Sequence, residues 1–84
     1  MVTNARKQIM LCPDRPFMIY GDMLTIPFKH RAQTIFVYLL VLDAEREGTD
    51  LTNFIIQDKT GYSLKVIKEC TIDLEKHKFI VFSK

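Results

Sequence analysis

The sequence predicts a small α+β domain with short strands near both ends and three helices between them. Its 84 residues are 48% hydrophobic and 26% charged, a globular balance with room for one core. Proline and glycine divide residues 7–27 into short apolar pieces, whereas apolar residues recur at helical spacing between residues 30 and 76. A β-rich apolar run follows at 79–82. We therefore expect a single domain over residues 1–84.

The N-terminal section, residues 7–27, is expected to contain two or three short strands. KQIMLC is an apolar run that PDRP ends, and FMIYG and DMLTIP follow it. Bounding prolines and a glycine at 21 are typical of tight turns between strands. The run at 17–20 is predicted to be one of these strands.

The first helix is predicted over residues 30–47, with Gly48 as its C-terminal stop. It is apolar around most of its circumference, so we expect it to be the central core helix or to bury a second face against a partner. Phe36, Tyr38 and Leu40 are the candidates for that second face, which would form a homodimer contact.

Two further helices are predicted, over residues 50–59 and 63–76, with a last strand over 78–83. Thr49 or Asp50 is expected to cap the second helix, and Ser63 the third. Gly61 between them is expected to adopt a positive φ. One face of the third helix carries apolar or small residues at helical spacing and should be buried: Ile67, Cys70, Thr71 and Leu74.

The charge is unevenly distributed along the chain. Residues 1–31 carry five basic and two acidic side chains, residues 32–62 two and five, and residues 63–84 five and three. A fold that brings the two ends together would form a one-sided basic face. The net charge of +2 is nevertheless lower than that of a strong non-specific nucleic-acid binder.

Several functional classes are not expected from this sequence. His30 and His77 lack the spacing of a metal motif, and no phosphate-binding or dinucleotide-binding motif occurs. We therefore expect no catalytic residue, no metal and no cofactor. Cys70 is expected to be a small buried residue in a reduced, cytoplasmic setting. The longest apolar run, Ile35 to Leu42, is too short to span a membrane.

Residues 28–82 resemble a winged helix-turn-helix domain. FVYLL at 36–40 is similar to the core of the first helix in that family. LTNFIIQDKTGYS resembles its second helix and turn, and SLKVIKECTIDLEKHKFI resembles its third helix and the start of the wing. The similarity is greatest to the N-terminal domains of phage replisome organisers and plasmid replication initiators, with MarR-type regulators as more distant relatives.

The resemblance implies a phage- or plasmid-like DNA-binding protein that acts in replication or transcription control. Its third helix would enter the major groove of double-stranded DNA while neighbouring residues contact phosphates. The residues expected to contact DNA lie in the turn, on the third helix and at the start of the first: Thr60, Tyr62, Ser63, Leu64, Lys65, Lys68, Lys29 and Arg31. The simpler interpretation of Lys65 and Lys68 is a solvated helix face.

Two departures from the family pattern favour an alternative function. Lys78 stands where glycine is usual. Only one strand is expected after the third helix, so the wing is incomplete unless an N-terminal strand completes the sheet. Leu64 and Ile72 are apolar on the face that would contact DNA, beside Glu69 and Asp73, which would repel phosphates. The alternative is a winged-helix module that binds a host transcription or replication protein, with Ile72 in the interface.

Overall fold

The computed structural model describes residues 7–13 and 25–83, which form an α+β domain with three helices and a two-stranded antiparallel sheet. The predicted combination of helices and strands is confirmed at this level. In chain order the elements are β1 (Ile9–Leu11), α1 (Arg31–Glu47), α2 (Asn53–Thr60), α3 (Leu64–Lys76) and β2 (Ile80–Phe82).

The two strands come from opposite ends of the sequence. β1 pairs antiparallel with β2, and Met10 lies opposite Val81. The pairing continues past the strand ends, because the Ser83 amide donates to the Gln8 carbonyl at 2.9 Å. An N-terminal strand therefore pairs with β2, a strand that follows α3. The strand expected at 17–20 lies outside the described residues.

The core forms where α1 packs across α3 and both cover the sheet. Its fully buried side chains include Val37 and Val41 of α1, Leu74 of α3, and Phe79 and Ile80 around β2. Each such side chain contributes about 1.5–3 kcal/mol through removal of apolar surface from water. The expected inner face of α3 is confirmed, and Cys70 on it is fully buried.

Tyr38 corrects one expectation about α1. It is only 2% exposed, and its ring meets that of Phe79 with centroids 5.7 Å apart. The proposed place for Tyr38 on an outer, partner-binding face is therefore wrong. The middle of the helix is apolar around most of its circumference, so its sequence did not distinguish the inner face from the outer one.

The helix ends confirm some predicted caps and correct another. Gly48 ends α1 with φ 70°, and Ser63 caps α3 by accepting a hydrogen bond from the Val66 amide at 3.2 Å. α2 is instead capped by Thr52, whose hydroxyl accepts from the Ile55 amide. Thr49 and Asp50 lie too early, because Leu51 is drawn into the core and its carbonyl accepts from the Ile9 amide at 2.7 Å.

Lys78 turns the chain from α3 into β2. It has φ 63°, the left-handed conformation that glycine adopts readily and other residues rarely. Lys78 is the position at which the winged-helix resemblance leads us to expect glycine, and its backbone has a shape for which glycine is suited.

Candidate nucleic-acid interface

The turn between α2 and α3 is held by its own hydrogen bonds. Gly61 has φ 76°, and its amide donates to the Gln57 carbonyl at 2.8 Å. The Thr60 hydroxyl donates to the Ile56 carbonyl at 2.7 Å and accepts from the Tyr62 amide at 3.1 Å. The hydroxyl hydrogen of Thr60 is thus used inside the turn, so a phosphate contact by this residue would have to displace the Ile56 carbonyl.

The residues on either side of the α3 N-terminus are partly exposed. Tyr62 is half-buried, and its ring meets that of Phe36 edge to face, with centroids 6.4 Å apart. Ser63 is exposed, and because its oxygen accepts from the Val66 amide, its hydroxyl hydrogen is not used in that bond. Leu64 is half-buried. The turn therefore presents one hydroxyl donor beside an aromatic pair.

The outer face of α3 carries a lysine stripe, which we define as Lys65, Lys68, Ile72 and Lys76. These residues follow one another by three or four positions and so share one side of the helix. Lys65 and Lys76 are exposed, Lys68 is half-buried, and Ile72 is 53% exposed. Lys76 was not among the predicted contacts, although its spacing of four from Ile72 would have identified it.

The acidic side chains of α3 do not all point the same way. Glu69 accepts from the Lys29 ammonium at 2.5 Å, and its other oxygen lies 2.9 Å from Nε2 of His30. Asp73 accepts from the backbone amide of Lys29 at 3.1 Å. These two carboxylates are thus directed to the turn that precedes α1, while Glu75 is exposed.

The contacts of Glu69 shift its protonation equilibrium. Hydrogen bonds from Lys29 and then from His30 stabilise the carboxylate and lower the pKa of Glu69 to about 2. The same hydrogen bond raises the pKa of Lys29 above its ordinary value. Both groups are therefore charged at neutral pH, and they neutralise each other at the α1 entry.

The expected basic patch at the start of α1 is modified by these contacts. Lys29 already has Glu69 as its counterion, so a phosphate would compete with that carboxylate. Arg31 is exposed and donates from Nη2 to the Ile26 carbonyl at 3.2 Å. Lys29 and Arg31 were both predicted to contact DNA. Among the described contacts, Lys29 has an acidic partner and Arg31 does not.

Three large apolar side chains are exposed on three different helices within the described part of the chain. They are Phe36 at 43%, Phe54 at 44% and Ile72 at 53%. Phe36 and Ile72 were predicted partner-binding residues, whereas Phe54 was not. Leu40 is half-buried and packs against the core.

A shallow depression of about 70 Å³ lies beside the C-terminal half of α1. Its lining combines aliphatic residues with carboxylates and one lysine: Leu40, Asp43, Ala44, Glu47, Thr49, Asp50, Leu51 and Lys59. No group of three or more potential metal ligands occurs within residues 7–13 and 25–83. None of the helices in these ranges is long and apolar enough to cross a membrane.

The chain matches no protein-family model, no curated protein and no solved structure.

Proposed function

We propose that α2, its turn and α3 act as a helix-turn-helix that binds double-stranded DNA, within a winged-helix domain of phage- or plasmid-like type. α3 is the helix that enters the major groove, as in proteins of this architecture. The protein would act in replication or transcription control. No catalytic chemistry, metal or cofactor is needed for this role.

The observation that carries the proposal is the separation of charge on α3. Glu69 and Asp73 are directed to Lys29 and the turn before α1, while Lys65 and Lys76 are exposed on the outer side. Lysines on the outer side are suited to phosphates, whose neutralisation dominates the affinity of proteins for DNA. Two of the three carboxylates of α3 are thus directed away from the lysines, and Glu75 near the C-terminal end stays exposed.

The short sheet supports the same arrangement. β1 pairs with β2, which follows α3 after only the turn at residues 77–79. The sheet would act as a minimal wing, with backbone groups and side chains at its end contacting the DNA backbone. A wing of this size adds few phosphate contacts, so we expect affinity to depend mainly on α3.

The direct test is selection of bound sequences from a random duplex library at physiological salt. We expect enrichment of a defined sequence, which then competes better than a scrambled duplex. The variant Lys65→Ala/Lys68→Ala should lose this enrichment. The matched control, Arg46→Ala/Lys59→Ala, removes the same charge from positions outside α3 and should retain it. Loss of enrichment in both variants, or in neither, would contradict the assignment of α3.

A second function, binding of a host transcription or replication protein, is favoured by Ile72. It is the most exposed large apolar residue of the described chain and lies within the lysine stripe. An apolar surface rimmed by charged residues is typical of protein contacts, and Ile72 would be the apolar part of such a surface. The substitution Ile72→Gln distinguishes the functions, because it would disrupt a protein interface while sparing the phosphate contacts made by the lysines.

A further inference from the structure

The outer face of α1, which we define as Ala32, Phe36, Leu39, Leu40, Asp43 and Glu47, has an unusual symmetry. Successive members are separated by 4, 3, 1, 3 and 4 positions, so the spacing is the same in both directions. Ala32, Phe36, Asp43 and Glu47 are exposed, and Leu39 and Leu40 are half-buried at the centre. If the helix is turned end to end, the positions of this face coincide: Ala32 takes the place of Glu47, and Phe36 takes that of Asp43.

The charges of α1 oppose its own dipole. The helix has no acidic residue in its first turn, and its N-cap, His30, makes no side-chain capping hydrogen bond. Its C-terminal half instead carries Asp43, Glu45 and Glu47, with Arg46 as the one basic residue in the last turn. Carboxylates are favourable near a helix N-terminus and unfavourable near its C-terminus. Within one copy, the acidic residues thus stand at the less favourable end.

We propose that the outer face of α1 docks on the same face of a second copy of this chain, with the two helices antiparallel. The two-fold axis passes between Leu39 and Leu40, so that Leu39 meets the partner's Leu40. Phe36 then faces the partner's Asp43 beside the shallow depression, which Leu40 and Ala44 also line. The interface is isologous, as a two-fold axis requires.

Charge complementarity identifies the second copy as the occupant. In the antiparallel arrangement, Glu47 of each protomer lies near Ala32 and Arg31 at the partner's α1 N-terminus. Glu47 of each protomer thereby meets the exposed Arg31 of its partner, whose described contact is with a carbonyl and leaves its charge without a counterion. A parallel pairing would instead bring the acidic ends together. The inference does not require that the protein bind DNA, and it is tested without DNA.

The first test is the mass of the full chain in solution by sedimentation equilibrium, from ~1 µM to ~500 µM. We expect a monomer–dimer equilibrium. Phe36→Ser should raise the dissociation constant of the dimer at least ~10-fold. Phe54→Ser is the matched control, since Phe54 is equally exposed but lies on α2, and it should leave the constant unchanged. A monomer throughout this range, or equal effects of both variants, would overturn the proposal.

The second test fixes the orientation and uses two exposed positions whose replacement spares the core. Ala32→Cys and Glu47→Cys proteins are purified separately and oxidised with glutathione disulfide, alone and as a mixture. We expect a disulfide-linked dimer from the mixture, and much less from either protein alone or from the wild type, whose Cys12 and Cys70 are buried. Cross-linking that is as efficient within a single variant as in the mixture would contradict the antiparallel register.

Discussion

The outer faces of α1 and α3 differ in how their charges are neutralised. On α3, Glu69 and Asp73 find donors on the turn before α1, so the outward charge is that of the lysines and of Glu75, with the lysines in excess. On α1, Asp43 has only Arg46 of its own helix as a described ion-pair partner, and that pair is exposed. The chemistry of a helix face thus depends on the neighbouring segment as much as on its own sequence. The proposed partners differ accordingly, DNA for α3 and a second copy for α1.

The largest effect is expected on the free energy of unfolding, from a substitution on the buried face of α3. Leu74 is fully buried between α3 and α1, so Leu74→Ala should lower the free energy of unfolding by about 2–5 kcal/mol. Ile72→Ala, two positions away and 53% exposed, should change it by less than about 1 kcal/mol. Urea unfolding of both variants checks the difference. Similar losses would mean that α3 is packed differently from this description.

The next effect concerns Glu69, the carboxylate of α3 that pairs with Lys29. The lowered pKa of Glu69 means that its contribution to stability is fully present above the ordinary value of 4.5 and is lost as pH falls toward about 2. Thermal melting temperatures should therefore decrease across this window. Glu69→Gln should be less stable than the wild type at pH 7 and show a flatter decrease below pH 4.5. An unchanged pH profile would show that the contacts with Lys29 and His30 do not stabilise the fold.

A smaller effect, of opposite sign, is expected where α3 joins the sheet. Lys78 has φ 63°, so Lys78→Gly should raise the free energy of unfolding by about 0.5–1 kcal/mol. Glu75→Gly, inside α3, should lower it by a comparable amount because glycine weakens a helix. Urea midpoints of the two variants should thus move in opposite directions. A destabilising Lys78→Gly would show that contacts of the lysine side chain outweigh the backbone strain.

Much of this architecture could be predicted locally. Gly48, Gly61 and Ser63 occupy the predicted caps and turn because each acts through its own backbone or its nearest amides. The alternation of buried and exposed positions on α3 was equally clear, since its polar and apolar residues repeat at helical spacing.

The remaining features depend on contacts distant in sequence. Tyr38 is inside because Phe79 packs on it, and α2 begins late because Leu51 is drawn into the core beside Ile9. The ion pair of Lys29 with Glu69 joins residues 40 positions apart, and no local pattern indicates it. Those contacts decide which charges face outward, so the candidate site was less predictable than the fold.

The salt dependence of duplex binding decides whether α3 contacts DNA phosphates through its lysines, as proposed. The affinity of the wild type for its selected duplex is measured by fluorescence anisotropy over a series of salt concentrations. Loss of two phosphate contacts in Lys65→Ala/Lys68→Ala should reduce the slope of log affinity against log salt by about 2. The Arg46→Ala/Lys59→Ala control should keep the wild-type slope. Equal slopes for all three proteins, or no salt-dependent duplex binding by the wild type, would contradict the claim.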